Sequence, residues 1–283
     1  MLSPDEISRF VADGYVAVRN AIPPDVTRAC QDIIWAELAP HGVLRDDPAT
    51  WTRPVLRINT PSGPAFTTAG TTRLVGEACD QLLGPGHWIR HSGVGGTIPV
   101  RFPSPDDPGD AGWHIESSYS DASASDASAS DGSSAGGSSA GDGGPRVSLR
   151  SRGRGLLALY LFTDVGPDDA PTRLRPGSHL DVPPILDPGG DDGMPWLPAA
   201  QQAARASAHR PTAWATGRAG DVFLCHPFLV HAASWPHRGR SAKMMAQPPV
   251  LLTDGQFPLP AARTLPPTPV EQAIFNNVPT APS

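Results

Sequence analysis

The first part of the chain carries apolar residues at helical spacing. Ser3–Glu6 has the pattern of a capping box with proline in the first turn, which predicts a helix that ends at about Asp13. Residues 14–18 then read as a strand. Apolar residues recur every three or four positions between Pro23 and Leu38, which predicts a longer helix, and a third helix is predicted over about 71–83. We expect these helices to brace one side of a sheet.

From residue 88 onward, short apolar or alternating runs are separated by Gly, Pro and Asp, a pattern typical of a β-sandwich or barrel. The predicted strands cover residues 88–91, 97–102, 113–119, 155–164, 221–224, 228–232 and 243–252. Residues 155–163 are the most apolar run, so we expect a strand buried on both faces there. The proline-rich region 183–198 is predicted to be a loop, followed by a helical turn at 201–208. A second capping box at Thr268–Glu271 predicts a short C-terminal helix.

Composition limits the partners and the compartment. The formal net charge is −6, the isoelectric point is near 5.8 and no basic stripe is present, which argues against nucleic acid or an anionic membrane as a main partner. Cys30, Cys79 and Cys225 lack metal-type spacing and lie among apolar residues, so we expect buried, reduced thiols. The chain has no stretch of about 18 apolar residues and no signal pattern, which predicts a cytoplasmic protein. Its oligomeric state is not indicated.

Two short runs far apart in the chain look like parts of one metal site, namely 112–116 and 227–231. Side chains on a strand alternate between faces, so His114 and Glu116 should point the same way, about 6.5–7 Å apart at Cα. His231 would complete the set if the fold brings it back. Two imidazoles and one carboxylate are the ligands of the non-haem Fe(II) oxygenases, which leave three coordination positions open.

Other histidines compete for these roles. His179 and Asp181 repeat the spacing, but they follow a turn-like Pro-Gly-Ser and run into two prolines, so we interpret His179 as a loop histidine bonded to backbone. His226 is an alternative to His231 as the distal ligand, although it precedes a proline. His237 lies in a turn-like sequence and is expected to be solvated.

The order of these motifs resembles the phytanoyl-CoA dioxygenase family of Fe(II)- and 2-oxoglutarate-dependent oxygenases, especially its bacterial members. The resemblance extends from residue 1 to about 255, broken by one insertion. The matching stretches are residues 2–15, 112–116, 169–179, 220–231 and 244–249. It implies a mainly β protein with flanking helices (α+β), in which N-terminal helices brace a double-stranded β-helix, or jelly roll.

The resemblance also implies the domain organisation. We expect a single oxygenase domain over 1–283, with a helical bracing part at 1–87 and a jelly-roll core at 88–255. The core is interrupted by residues 121–144, a segment of Asp, Ala, Ser and Gly that cannot bury enough apolar area to offset its ordering entropy and is predicted to be flexible. That segment is either a lid or partner-contacting loop beside the site, or a tolerated surface expansion. Residues 256–283 are expected to be a tail with a short helix.

The chemistry that the resemblance implies is oxidation, most often hydroxylation, of an unactivated C–H bond in a small or medium organic molecule such as a secondary metabolite. Relatives divert the reaction to cyclisation, desaturation or epimerisation. Fe(II) would be bound by His114, Glu116 and His231, with 2-oxoglutarate as cosubstrate. Halogenation is disfavoured, because halogenases of this type lack the carboxylate ligand that Glu116 supplies here.

Two departures from the family pattern leave a second interpretation open. The family usually has Asp where this chain has Glu116, and it usually places an Arg where Lys243 is the nearest match. Lysine offers a point charge rather than a two-pronged fork for the distal carboxylate of 2-oxoglutarate, and Arg240 could replace it. The alternative is a catalytically impaired jelly-roll protein that binds metal or ligand.

Five other residues are weaker candidates. Arg101 either points inward as a second carboxylate holder or lies outward in an ion pair. Tyr119 and Trp235 either line a substrate pocket or fill the core. Arg173 and its neighbour Arg175 alternate with a leucine, so they share a face that we expect to be on the solvent side.

Overall fold

The computed structural model describes residues 1–117, 145–257 and 266–278. Its α-helices are α1 (Pro4–Asp13), α2 (Pro24–Leu38), α3 (Pro64–Gly70), α4 (Arg73–Leu83), α5 (Pro183–Leu186), α6 (Trp196–Ala206) and α7 (Pro269–Phe275). Both predicted capping boxes are present, at Ser3 with Glu6 and at Thr268 with Glu271. The predicted flexible segment 121–144 and Tyr119 lie outside the described residues.

The strands are short apart from one. They are β1 (Tyr15–Val18), β2 (Val55–Asn59), β3 (Thr97–Arg101), β4 (Arg146–Val147), β5 (Arg154–Leu161), β6 (Arg173–Leu174), β7 (Met194–Pro195), β8 (Ala213–Trp214), β9 (Val222–Cys225), β10 (His231–Ala232), β11 (Met245–Ala246) and β12 (Pro249–Leu251). The main sheet has the order β1-β9-β5-β11, with β12 also paired to β5, and a smaller sheet has the order β10-β6-β8. All of these pairings are antiparallel.

Strand β5 separates two apolar layers, as the prediction of a fully buried strand requires, and all eight of its residues are buried. Leu157, Leu159 and Leu161 pack in one cluster with Leu174 of the smaller sheet, so this cluster fills the space between the two sheets. The alternate residues of β5 pack in a second cluster with α1, α2 and α4. The predicted bracing helices therefore cover the outer face of the main sheet. The exact limits of the predicted parts, 1–87, 88–255 and 256–283, stay predictions.

Several predicted elements differ from the structure. Residues 88–91 form only one bridge, from Trp88 to Leu252, and 228–232 shortens to β10. The region 183–198 is not a loop. Pro183 and Pro184 occupy the first turn of α5, where no hydrogen-bonded N–H is required, and residues 196–198 begin α6.

Two predictions from composition can be compared with the structure. All three cysteines are free and buried, and burial raises the pKa of the Cys30 and Cys79 thiols to about 12. No helix in the described parts of the chain is long and apolar enough to cross a membrane.

Candidate metal centre

One pair of backbone hydrogen bonds brings the two histidine runs together. The amide of His114 donates to the carbonyl of His231 at 3.0 Å, and the amide of His231 donates back at 2.9 Å. The two residues are thus directly opposite in an isolated antiparallel bridge, so their side chains project from the same face. Their ring centroids are 4.4 Å apart. A strand was predicted over residues 113–119. Within the described residues 113–117, the structure has only this single bridge at His114.

The carboxylate of Glu116 lies beside the two imidazole rings. This position was predicted, because residues two apart on an extended segment point the same way. One ligand atom from each of His114, Glu116 and His231 lies within 4.8 Å of the others. The Oε1 atom of Glu116 is 3.3 Å from Nε2 of His231. Ile115 between the two predicted ligands is fully buried and packs in the opposite apolar layer. The three side chains form a compact group that could hold one metal ion.

The histidine tautomers suit metal binding. Nδ1 of His114 donates to the carbonyl of Gly112 at 2.9 Å, and Nδ1 of His231 donates to the carbonyl of Leu229 at the same distance. Because a carbonyl can only accept, Nδ1 of each ring carries a proton, and Nε2 is the nitrogen that is left to bind a metal. Such bonds fix the ring orientation of metal-binding histidines.

The charges of the group also suit a cation. Burial, followed by the neighbouring His231, lowers the pKa of His114 to about 4, so this ring is neutral at neutral pH. Burial opposes the charge on Glu116, but the guanidinium of Arg154 and the contact with His231 outweigh it and hold the pKa of this carboxyl well below its usual range. A neutral imidazole and an ionised carboxylate are the forms that bind metals.

Two residues beside the group were not predicted from the sequence. Nη1 of Arg154 is 2.8 Å from Oε2 of Glu116. The indole N–H of Trp196 donates to the carbonyl of Ile115 at 2.7 Å, and its ring lies edge-on to His114 with centroids 6.3 Å apart. The only sequence signal for Arg154 is a charged residue at the start of the most apolar run in the chain.

Lys243 and Arg240, the two candidates for the cosubstrate carboxylate, lie in different environments. Lys243 is buried and Arg240 is exposed. Lys243 bridges to Arg101 through two backbone hydrogen bonds of 2.8 and 3.0 Å, and its ammonium donates to the carbonyl of Ala170. Burial, and then the nearby Arg101, lower the pKa of Lys243 well below its usual range.

Arg101 is buried, which excludes an outward position, but it is also in an ion pair, so its role as a second carboxylate holder stays a prediction. Its side chain is 5% exposed and its Nη2 donates to Oδ2 of Asp110 at 2.5 Å. Asp110 also pairs with Arg57, and its Oδ1 is buried with no hydrogen-bond partner among the described residues. The charge of Asp110 acts on both His114 and Lys243. Asp110 is therefore within electrostatic range of both His114 and Lys243.

The remaining histidines are not part of the group. His179 lies in a 3-10 turn and its Nε2 bonds the carbonyl of Val11 at 3.1 Å, which confirms the backbone-bonded interpretation. His226 bonds the carbonyl of Val270 in α7. The prediction that His237 is solvated was wrong: this residue is 5% exposed, because its turn is fixed to the loop at Asp168 by hydrogen bonds from residues 238 and 239.

The structure also shows the positions of Arg173, Arg175 and Trp235. Arg173 and Arg175 share a face, as expected, but they are half-buried, and their guanidinium carbons lie 4.6 and 4.1 Å from the ring centroid of Trp113. Trp235 is 46% exposed, so it is not core filler.

Comparison with known proteins agrees with this fold. The sequence pattern described as "Phytanoyl-CoA dioxygenase (PhyH)" matches residues 144–244, which include His231 and Lys243. No curated protein matches the chain. The fold is similar to that of the non-heme alpha ketoglutarate dependent carbocyclase SnoK from nogalamycin biosynthesis, with 18% identity and a TM-score of 0.53 over 89% of this chain and 84% of that one.

Two further solved structures are similar. AviO1 from Streptomyces viridochromogenes Tue57 has 18% identity and a TM-score of 0.51, with 93% of this chain and 97% of that one covered. The epimerase SnoN, in complex with Fe3+, alpha ketoglutarate and nogalamycin RO, has 15% identity and a TM-score of 0.53 over 93% and 91%.

The matched pattern and the shared fold define a class, the non-haem iron oxygenases that use 2-oxoglutarate and are built on a jelly roll. Within that class, the part of the chain over residues 144–244 matches the phytanoyl-CoA dioxygenase pattern, in agreement with the family and the fold predicted from the sequence.

Proposed function

We propose that this protein uses Fe(II), 2-oxoglutarate and O₂ to hydroxylate an unactivated C–H bond of a small or medium organic molecule, such as a secondary metabolite. The observation that carries the proposal is the convergence of His114, Glu116 and His231 with both Nε2 atoms left to bind a metal. When bound, the iron and the cosubstrate supply the oxidation of the C–H bond. The protein supplies ligand geometry, cosubstrate orientation and exclusion of water.

The donor set fits iron. Two imidazoles and one carboxylate are the facial set of the Fe(II) oxygenases, and a structural zinc site would need a fourth protein donor. Catalytic zinc can use the same three ligands, so the choice of iron also rests on the match to the dioxygenase pattern. Among the described residues these three are the only group of His, Cys, Asp or Glu with ligand atoms close enough to share an ion. The carboxylate of Glu116 also supports hydroxylation over halogenation.

Lys243 is the residue that we assign to the distal carboxylate of 2-oxoglutarate. Its amine is buried, with one carbonyl acceptor and no salt bridge among the described residues. Burial disfavours its charged form unless an anion joins it. Arg101 lies beside it and can contribute a second positive charge. Arg240 is exposed, so its salt bridge with a ligand would be weakened by solvent.

The test needs no knowledge of the substrate. Anaerobic protein is titrated with Fe(II) and 2-oxoglutarate, and the visible charge-transfer absorption of the chelate is recorded. We expect the band in the wild type and in His209→Ala, which alters an exposed histidine, and no band in His114→Ala. Absence of the band in the wild type would refute the assigned class of reaction.

A measurement of turnover distinguishes an active oxygenase from a catalytically impaired binding protein. Succinate formation in the presence of O₂, above the His114→Ala level, supports the oxygenase. A stable chelate that forms no succinate with any of a panel of substrates would favour the binding protein, in which Glu116 and Lys243 mark lost activity.

A further inference from the structure

The two oxygens of Glu116 have different partners. Oε2 is 2.8 Å from Nη1 of Arg154, whereas Oε1 is 3.3 Å from Nε2 of His231. Since Nε2 is the nitrogen that is left to bind a metal, Oε1 is the oxygen that faces the metal position. Oε2 faces the guanidinium.

Arg154 is held in place from several directions. Its side chain is 5% exposed, and its backbone pairs with Leu251 at an irregularity between β5 and β12. Its amide donates to the carbonyl of Ser151 at 3.0 Å, and the hydroxyl of Ser151 donates to the carbonyl of Arg154 at 2.8 Å. Its Nε donates to the carbonyl of Ser117 at 3.3 Å. The guanidinium therefore contacts both Glu116 and the next residue in the chain.

This arrangement matters because a carboxylate can bind a metal through one oxygen or through both. A glutamate has one more rotatable bond than an aspartate, so it can turn both oxygens toward the ion. Ligation by both oxygens would occupy one of the positions that 2-oxoglutarate and O₂ need. In the structure, Oε2 is already engaged in a charge-assisted hydrogen bond.

We propose that Arg154 is a positioning residue that restricts Glu116 to a single metal-facing oxygen and thereby keeps the chelating position for 2-oxoglutarate open. This inference rests on the proposed function. It gives a physical reason why glutamate is accommodated where the family has aspartate: the longer side chain reaches a cation that fixes its second oxygen.

The charge of Arg154 should affect metal affinity and 2-oxoglutarate affinity differently. Arg154 is close to the metal position and repels a cation there. Arg154 also keeps Glu116 ionised, but a bound metal ion stabilises the same carboxylate charge, so the removal of Arg154 does not weaken metal binding by electrostatics. Its removal also frees Oε2 to approach the ion. Loss of Arg154 should therefore leave metal binding intact or tighter while it weakens the chelation of 2-oxoglutarate. A residue with a merely structural role would affect both affinities together.

The experiment compares Arg154→Met with the wild type under anaerobic conditions. Fe(II) affinity is measured alone, and 2-oxoglutarate affinity is then measured from the charge-transfer band at saturating Fe(II). We expect unchanged or tighter Fe(II) binding and about tenfold weaker 2-oxoglutarate binding, the scale on which partners of metal ligands usually act. Arg210→Met is the matched control, since it removes a half-buried ion pair with Asp181 and should change neither affinity.

Loss of a buried ion-pair partner can prevent folding, so Arg154→Gln is a second variant that keeps a polar side chain too short to reach Oε2. This variant should also bind Fe(II) with unchanged or higher affinity and bind 2-oxoglutarate more weakly. A crystal structure of either variant with Mn(II) should place both oxygens of Glu116 on the ion.

Equal losses of Fe(II) and 2-oxoglutarate affinity, or no change in either, would overturn the role of Arg154 and leave the proposed function intact. Wild-type protein that binds no Fe(II) would overturn both.

Discussion

The ring of His179 lies directly against the backbone of Gly14, so closely that a Cβ atom on Gly14 would be 2.5 Å from Nδ1. Gly14 ends α1 with a φ of +82°, and its carbonyl accepts a hydrogen bond from the amide of His226 at 2.8 Å. One glycine therefore fixes the N-terminal helix against the segment that leads to the distal histidine of the metal group.

We expect Gly14→Ala to destabilise the protein by more than the cost of the left-handed backbone alone. That cost is about 1–2 kcal/mol, and overpacking against the histidine adds about 1–3 kcal/mol. The measurement is urea unfolding, with Gly42→Ala as the control. Gly42 has a similar φ of +76° and no atom within 4 Å of the added Cβ. Equal losses in the two variants would show that the contact with His179 is unimportant.

Protein without metal should lose stability as the pH falls from about 6.5 toward 4. Burial lowers the pKa of His114 and of His179 to about 4 and that of His226 well below its usual value. Since these rings take up protons near pH 6.5 when unfolded and only at lower pH when folded, the unfolded state binds more protons in this window, and the free energy of unfolding decreases.

Each such histidine contributes up to about 1.4 kcal/mol per pH unit. His179→Gln keeps a donor for the carbonyl of Val11 and removes one titrating group, so its stability should depend less steeply on pH. Urea unfolding at several pH values between 7 and 4.5 measures this slope. An unchanged slope in the variant would mean that His179 is not buried in its neutral form.

Lys243→Met should separate stability from cosubstrate binding. The substitution removes a buried charge next to Arg101, so the thermal midpoint of the protein without ligands should stay the same or rise. The affinity for 2-oxoglutarate should fall by at least about tenfold, because a hydrogen bond to a charged group contributes about 1.5–3 kcal/mol. Arg240→Met is the matched control. A larger loss in that variant would reassign the carboxylate anchor to Arg240.

Tyr160→Phe should be neutral or should stabilise the fold by up to about 1 kcal/mol. Tyr160 is fully buried, and its hydroxyl has no hydrogen-bond partner within the described part of the chain, so folding removes it from water without compensation. Differential scanning calorimetry measures the effect. Phe162→Leu, a loss of packing on the same strand, is the comparison. Destabilisation in both variants would indicate a bound water or an unseen partner at the hydroxyl.

The convergence of His114 and Glu116 was predictable because it follows from local rules. The alternation of side chains along an extended segment places His114 and Glu116 together even though only one bridge forms there. The return of His231 followed from the family resemblance. The capped helices α1 and α7 and the buried strand β5 were predictable for the same reason, since each is encoded within a few consecutive residues.

The features that the sequence did not indicate depend on contacts between distant segments. Arg154 meets Glu116 from the first position of β5, beside an irregularity in the pairing with β12, and no local sequence pattern encodes a contact between segments so far apart. The burial of His237 depends on the loop at Asp168. The helices in 183–198 are not predicted because proline is typical both of loops and of the first turn of a helix, and the sequence alone does not distinguish the two.

The pairing of β1 with β9 sets the order in which the protein can be assembled. These strands are separated by most of the chain, so a growing polypeptide has to make more than two hundred residues before β1 finds its neighbour. Until then the N-terminal strand exposes unpaired amides and carbonyls during synthesis. We therefore expect nascent chains to depend on chaperone holding, and refolding of the full chain to be slow and sensitive to concentration.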